Sequence, residues 1–310
     1  MFSHAARPLL QPLLTGARPA ASQRTMVTLS DLKLRIRSVT NIRKITATMK
    51  LVATSKLKAA QRNMDIARPF VIAVNCIPEV VEAAQHIKAT GGSAEGSHRV
   101  IPITSDRGLC GSVNGSVMRA SRAIARSHPR DSPFCFSVIG TKGRAGLMRE
   151  FSRQFDFSAS DMGEKKGIRF TDIVPFSEAV SASSSYDRIT LICNKFVTMV
   201  AFETEKVPLL TPAEMTKIDL TKYEFESEDP EATMQNYFEW YLGATLFARI
   251  IENTACEMSA RMNSMDNATR NAGDIIRILK IKYNRGRQAA ITSELAEIIG
   301  GAEAIKGEEE

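Results

Sequence analysis

The segment Ser105 to Asn114, SDRGLCGSVN, gathers an acid, a base, a thiol and two glycines in one short stretch. It follows a strand-like run and precedes a helix-like one, which is where phosphate-binding loops occur. A P-loop, however, needs G-x-x-x-x-G-K-[ST], and a dinucleotide fold needs G-x-G-x-x-G. This loop has neither, and GTKGRAG at 140–146 fails both tests as well. Cys110 beside Asp106 and Arg107 has some ingredients of an activated thiolate, but no histidine lies near it in sequence, so a small buried thiol in a tight glycine turn is the simpler reading. His4, His86, His98 and His128 form no H-E-x-x-H, and no G-x-S-x-G is present. Cys76, Cys110, Cys135, Cys193 and Cys256 are scattered without a C-x-x-C pair, so neither a zinc site nor a disulfide framework is encoded, and free thiols in a reducing compartment are expected. These residues predict no catalytic site, no metal and no cofactor.

The elements around them must therefore carry the function. With 41 Lys plus Arg against 34 Asp plus Glu, the 310-residue chain has a formal charge of +7, which favours an acidic protein surface, a nucleic acid or an anionic membrane without choosing among them. No transmembrane helix is expected, because even the apolar stretch Phe70 to Ala84 is interrupted by Asn75, Pro78 and Glu79. Residues 1–27 contain Arg7, Arg18 and Arg24, and no acid precedes Asp31. That composition reads as a mitochondrial transit peptide cleaved between Arg18 and Thr28. A secretory signal would need a continuous apolar run where Pro8, Pro12 and Pro19 stand, and a plain disordered arm is the third reading.

From Leu29 the pattern is helical: Leu29, Leu32, Ile36, Val39, Ile42, Ile45, Met49 and Val52 recur at steps of three and four. Thr28 to Asp31 supplies the N-cap candidates, and Pro69 should kink or end the helix within an N-terminal arm spanning 28–88. Forty residues of helix would extend about 60 Å. At the other end no proline follows Pro230. Phe238, Tyr241, Leu242, Thr245 and Leu246 open an apolar stripe there. Met258, Met262, Met265, Thr269, Ala272, Ile276, Leu279 and Tyr283 continue it as a coiled-coil seam. This helix, 230–305, would reach about 100 Å and should stop at Gly300-Gly301. It cannot bury its stripe alone, so the N-terminal arm is its antiparallel partner.

Between the arms, residues 98–222 alternate strand-like and helix-like runs. Arg99 to Thr104, Phe134 to Ile139 and Ile189 to Val197 read as strands; Val113 to Ser127, Gly143 to Gln154 and Thr171 to Ser183 read as helices. That order predicts a mostly parallel, Rossmann-like α/β domain, reached through a flexible linker at 89–97 and left through an acidic one at 217–229. The fold class is thus α plus α/β, a long antiparallel coiled coil of terminal helices carrying a central α/β domain.

One stretch of the C-terminal helix is unusual. MDNATRNAGD, 265–274, is crowded with amides and small residues. Ala268, Ala272 and Gly273 would let two helices approach closely, while Asn267 and Asn271 could hydrogen-bond without adding charge; an ordinary exposed helix face fits the same spacing. SARMNSMDNATRNAGDIIRILKIKYNRGRQAAITSELAEIIGGAEAI at 259–305, IRSVTNIRKITATMKLVATSKLKAAQ at 36–61 and SDRGLCGSVN at 105–114 together resemble, in the same order, the gamma subunits of F-type ATP synthases. The resemblance covers residues 28 to 305, is strongest in the arms and favours the close-packing reading.

The resemblance implies a mechanical rather than a chemical part. Gamma subunits are central rotor shafts whose coiled coil enters a ring of alternating alpha and beta subunits, while the α/β domain forms a foot near the membrane c-ring. ATP is made on the beta subunits. By this likeness the chain would be non-catalytic and peripheral to the mitochondrial inner membrane on its matrix side, with the delta and epsilon subunits of the central stalk as further partners. Arg287 and Gln288 in RQAA match the residues that contact acidic beta-subunit loops, with Arg285 as a companion, and Lys44, Met49 and Lys50 match the segment of the other arm that faces the ring. Met265, Ala268, Ala272, Ile276 and Leu279 would form the coil's packing seam. Family members often read QKIT and GLCGG where this chain has RKIT at 43–46 and GLCGS at 108–112. The insertion with a redox cysteine pair that chloroplast-type members carry is missing, as Cys193 stands alone in its region. A nucleic-acid partner is not expected, since the basic stretches lack stacking aromatics apart from Tyr283.

Overall fold

The computed structural model describes residues 28–74, 77–90, 96–129, 132–162, 167–182, 186–219, 222–223 and 229–307. Residues 1–27, expected to be a transit peptide, Cys76 and most of the two expected linkers lie outside the described residues. The described chain forms helices α1 (Leu29–Val74), α2 (Pro78–Thr90), α3 (Val113–Ser127), α4 (Thr141–Phe151), α5 (Val174–Ala182), α6 (Pro212–Met215) and α7 (Pro230–Gly307). Its strands are β1 (His98–Pro102), β2 (Phe134–Ile139), β3 (Phe155–Ala159), β4 (Arg188–Phe196) and β5 (Phe202–Leu209). The chain divides into two units, one of residues 39–276 and one in which 28–38 accompany 277–307.

In the larger unit the strands form one sheet in the order β3-β2-β1-β4-β5. β1 is parallel to β2 and β4, β2 is parallel to β3, and β5 returns antiparallel to β4. The central strands are buried on both faces, which is why they read as near-continuous apolar runs. Alternate residues serve two cores. Val100, Phe136, Val138 and Ile192 meet Val117 of α3 and Leu147 of α4. Ile101, Leu191 and Cys193 meet Ile173, Phe176 and Val180, together with Phe238, Leu242 and Leu246 of α7. Strand β3 and the charged strand β5 were not anticipated from the sequence. α2 contributes Val80 to the second core, so the segment up to residue 88 is two helices, the second belonging to the α/β domain rather than to the coil.

The ends of the long helices have local causes. Thr28 Oγ1 accepts the Asp31 N–H at 3.2 Å while Asp31 Oδ2 accepts the Thr28 N–H at 3.3 Å, a reciprocal cap that starts α1. Asp229 Oδ1 accepts from the backbone of Glu231 and Ala232, with Pro230 pre-set for a first turn of α7. α1 does not end at Pro69 but runs through it to Val74, and, contrary to the sequence expectation, α7 runs through Gly300 and Gly301 to Gly307. Glycine weakens a helix by about 1 kcal/mol but does not forbid one.

Between α1 and α7 in this unit, the buried residues of α1 are Thr46, Ala53, Leu57, Ala60, Met64 and Ala67, a heptad series made largely of small side chains. They face a stripe on α7 that includes Ile251 and Ala255. Ile42, Ile45 and Val52, which the periodicity had placed in the apolar stripe, are each more than half exposed. The true seam runs beside them. In the smaller unit Leu29, Leu32 and Ile36 are half-buried, as are Leu279, Tyr283, Gly286 and Ala290, and residues 291–302 are exposed on every side. A Cβ on Gly286 would come within 3.1 Å of Leu29, so glycine there sets how closely the two helices approach.

A histidine at the start of the sheet carries a testable consequence. His98 Nδ1 accepts from Arg188 at 2.9 Å, so the ring proton sits on Nε2 and points to Thr190 Oγ1 at 2.9 Å. Burial, then the charge of Arg188, then His128 hold its pKa down at about 3. A histidine more acidic in the folded state than in the unfolded one binds its proton preferentially in the unfolded chain. Its stabilising effect is therefore full above the ordinary histidine pKa and is lost as pH falls from about 6.5 toward 3. Stability at pH 5 should be about 2 kcal/mol below that at pH 8 through this group. Amide exchange of β1 and β4 against pH would show it, and His98→Gln should flatten the dependence.

Candidate functional site

The loop 105–114 spends its polar groups on itself. Ser105 N–H donates to Asn114 Oδ1 at 2.9 Å, Asn114 Nδ2 donates to Ser105 Oγ at 2.8 Å, and Ser105 Oγ donates to the Arg107 carbonyl at 2.7 Å. Asp106 turns its carboxylate to the backbone N–H of Thr141 and of Asp161. Leu109 and Gly111 take positive φ values of 62° and 61°, which close the turn. Cys110 is buried under Asn114, whose Nδ2 reaches its Sγ at 3.3 Å, with no base beside it. The glycines of GTKGRAG are equally structural. Gly140 has φ 97°, and a Cβ there would lie 2.3 Å from the Thr104 carbonyl, while one on Gly143 would lie 2.6 Å from Thr104 Oγ1. They let α4 start hard against the end of β1.

What the loop does present is carbonyls, and it presents them to α7. Arg261 Nη2 donates to the Gly108 and Arg107 carbonyls at 3.2 and 3.4 Å while paired with Glu257 at 2.5 Å. Burial raises the pKa of Glu257 and the Arg261 charge opposes that rise. Gly111 passes so close to α7 that a Cβ would meet Ser264 Oγ at 2.9 Å. From the other side, the turn between β4 and β5 offers the Met199 carbonyl to Ser259 Oγ and to Asn263 Nδ2. Residues 259–264 of α7 are thus gripped from both flanks.

One turn deeper, Asn194 on β4 is fully buried and fully engaged. Its Nδ2 donates to Asn253 Oδ1 at 3.0 Å and to the Val113 carbonyl at 3.3 Å, and its Oδ1 accepts from Thr204 Oγ1 at 2.9 Å and Ser116 Oγ at 3.4 Å. Cys256 Sγ reaches the Asn194 carbonyl, and burial pushes that thiol up to about 12, leaving it inert. Phe196 N–H donates to Glu252, which also holds Arg249, and Arg249 reaches Glu205 at 3.5 Å. Apolar contacts slide, whereas buried hydrogen bonds fix register and rotation. The polar series from Arg249 to Asn263, about 20 Å of helix, therefore locks α7 against turning or slipping relative to the sheet. Sequence reasoning missed this joint. Its one signal was Asn194 inside the apolar run ITLICNKFV, since a buried amide must find partners.

The residues predicted to meet the ring fall in two places. In the larger unit Lys44 is exposed, Met49 is half-buried and Lys50 is engaged within the coil, its Nζ 2.7 Å from Asp266 Oδ1. Asp266 also holds Arg270, and the hydrogen bond from Lys50 is the first cause of its lowered pKa. Thr269 Oγ1 donates to Thr46 Oγ1 at 2.8 Å beside this pair, so two polar links cross the seam. In the smaller unit Arg285, Arg287 and Gln288 are all exposed. Of the predicted packing residues, Met265, Ala272 and Ile276 are buried, and Ala268 and Leu279 are half-buried. Asn267 and Asn271 face outward instead, while Gly273 leaves room for the Arg43 side chain, 3.9 Å from where its Cβ would stand.

A two-helix coil keyed by a polar joint to an α/β domain defines a class of protein in which a long helical pair is fixed to a sheet. Comparison with known proteins agrees. A family model described as ATP synthase matches residues 28–305. The gamma subunit of the mitochondrial ATP synthase F(1) complex of Dictyostelium discoideum is 35% identical over 92% of this chain and 94% of its own length. A chain in the central stalk and c-ring structure of the Tetrahymena thermophila mitochondrial ATP synthase is 30% identical, with a TM-score of 0.60 over 72% of this chain and 99% of that one. A chain of the Euglena gracilis mitochondrial ATP synthase shares the fold at 16% identity, with a TM-score of 0.70 over 91% of this chain and 96% of that one. The chain belongs to the gamma-subunit family of ATP synthase.

Proposed function

We propose that this chain is the non-catalytic rotor shaft of a mitochondrial F-type ATP synthase, peripheral to the inner membrane on its matrix side. Its coil turns inside a ring of alpha and beta subunits, its α/β domain stands on the c-ring, and delta and epsilon subunits complete the stalk. The observation that carries this reading is the division of labour along α7. Phe238, Leu242 and Leu246 are core residues of the α/β domain, the stretch from Arg249 to Asn263 is the polar joint, and residues 291–302 are exposed. No described helix is long and apolar enough to cross a membrane.

Torque delivered to the sheet reaches α7 through the joint. An asymmetric shaft then favours different beta-subunit conformations at different angles by differential contact, the only way one protein can shift another's equilibrium. The exposed Ile42, Ile45, Leu51 and Val52, and in the smaller unit Ile291, Leu295 and Ile298, supply apolar surface for a surrounding bore. Arg285, Arg287 and Gln288, with Lys44, supply polar and basic contacts to acidic beta-subunit loops, and Met49 adds an apolar contact to the ring beside Lys44. Lys50, held by Asp266, serves the coil as well as that surface.

The test is ATP hydrolysis by alpha and beta subunits reconstituted with and without residues 28–310. The chain should assemble into the ring, raise sustained multi-site turnover and hydrolyse nothing alone. Arg287→Ala with Gln288→Ala should lower turnover several-fold, as loss of a desolvated charged contact does. A chain that neither assembles nor changes turnover would overturn the reading.

A further inference from the structure

β3 lies at the edge of the sheet and, among the described residues, pairs on one side only, with β2. Beside it, between the strand and α5, runs a cleft of about 440 Å³. Its apolar lining includes Phe157 and Ala159 from the strand and Phe176 and Ala179 from the helix, with the Phe157 and Phe176 rings edge to face at 5.1 Å. Asp161 and Asp172, both exposed, supply the charge, and among the described residues no lysine or arginine lines the cleft. An edge strand offers a row of backbone donors and acceptors, and an adjoining apolar groove offers places for alternate side chains. The volume falls within the usual range for ligand sites.

We propose that this cleft takes an extended segment of a partner polypeptide, added as a sixth strand beside β3, with an apolar side chain against Phe157 and Phe176 and a lysine or arginine beside Asp161 and Asp172. The backbone of β3 supplies most of the affinity, the ring pair selects an apolar residue, and the two carboxylates select a basic one and disfavour an acidic one. This surface shares no residue with the joint or with the predicted ring-facing residues.

The test uses the full chain assembled with alpha and beta subunits and a labelled peptide, Arg-Val-Thr-Val-Thr-Val, followed by fluorescence anisotropy. Two comparison peptides carry Glu in place of Arg, or N-methyl groups on alternate amides. The Arg peptide should bind saturably, the Glu peptide about tenfold more weakly, and the N-methylated peptide weaker still. Asp161→Asn suits the positive φ of 58° at that position and removes one of the two charges; it should reduce the preference for Arg over Glu to about threefold. Ala179→Trp fills the groove from a half-exposed helix position and should abolish binding of all three. Unchanged amide exchange of β4 in both variants would show that the fold is intact. Absence of saturable binding by the Arg peptide, or binding indifferent to Ala179→Trp, overturns the proposal. Binding that survives N-methylation but is lost in Asp161→Asn identifies a cation site without strand addition, and overturns it too.

Discussion

Asn194→Ala should weaken the α/β domain of this chain by about 3 kcal/mol, because it strips partners from a buried network rather than removing one contact. Asn253 Oδ1 loses its donor and Thr204 Oγ1 its acceptor, around a side chain with no exposed surface, while Ser116 Oγ and the Val113 carbonyl keep their bond to each other at 2.9 Å. A small cavity adds to the cost. In the assembled complex, amide exchange of β4 and of α7 near residue 253 should accelerate by about a hundredfold. Thr204→Val removes a single partner and should cost about 1 kcal/mol. Because the same amide fixes the rotation of α7 on the sheet, Asn194→Ala should also loosen coupling, read as ATP hydrolysis that continues with reduced proton pumping. Exchange rates unchanged at Asn253 would show that the network does not hold the helix.

The second large effect concerns a buried charge. Arg99 has no exposed surface, yet it sits in the sheet with Nη2 3.0 Å from Asp156 Oδ2, Nη1 2.8 Å from Ser137 Oγ and its guanidinium 4.3 Å above the Tyr186 ring. Taking such a group out of water is tolerable only because these partners replace the solvent. Asp156→Asn leaves the guanidinium buried without its counter-charge and should cost about 2 kcal/mol, below the range for a fully buried pair because Asp156 is one-third exposed. Arg99→Met with Asp156→Asn removes charge from both sides and should be less destabilising than Asp156→Asn alone. Urea unfolding of the four members of this cycle decides the matter. If the double variant is the least stable, the ion pair contributes net stability of its own.

Much of the secondary structure was legible because its causes are local. Strand β2 was read at its observed bounds, and β1 and β4 nearly so, since doubly buried parallel strands leave short apolar runs between turn residues. β3 and β5 were missed for the opposite reason. FDFSA is too short to show a period, and FETEKVPL carries Glu203 and Lys206, which a strand at the sheet's edge can hold in water, and Glu205, which is paired with Arg249. The coil exposed a different limit. Ile42, Ile45 and Val52 are the most apolar residues of their stretch, so periodicity put them in the stripe, whereas Thr46, Ala53 and Leu57 lie in the seam. Hydrophobicity records what is buried in the working assembly and does not distinguish a face turned to its own chain from one turned to a partner.

The sequence by itself determined the two long helices, the α/β order between them, the absence of any recognised nucleotide-binding motif in the two glycine loops and the family these features resemble. Each of those rests on spacing within one segment, where neighbours in sequence are neighbours in space. Only the tertiary structure decided which face of α1 is the seam, that Lys50 is tied to Asp266, and that Arg261 takes the carbonyls of Arg107 and Gly108 from 153 and more residues away. The joint at Asn194 and Asn253 belongs with these. A hydrogen bond between distant residues leaves no period in the chain, and its donor and acceptor are ordinary side chains until folding brings them within 3 Å of each other.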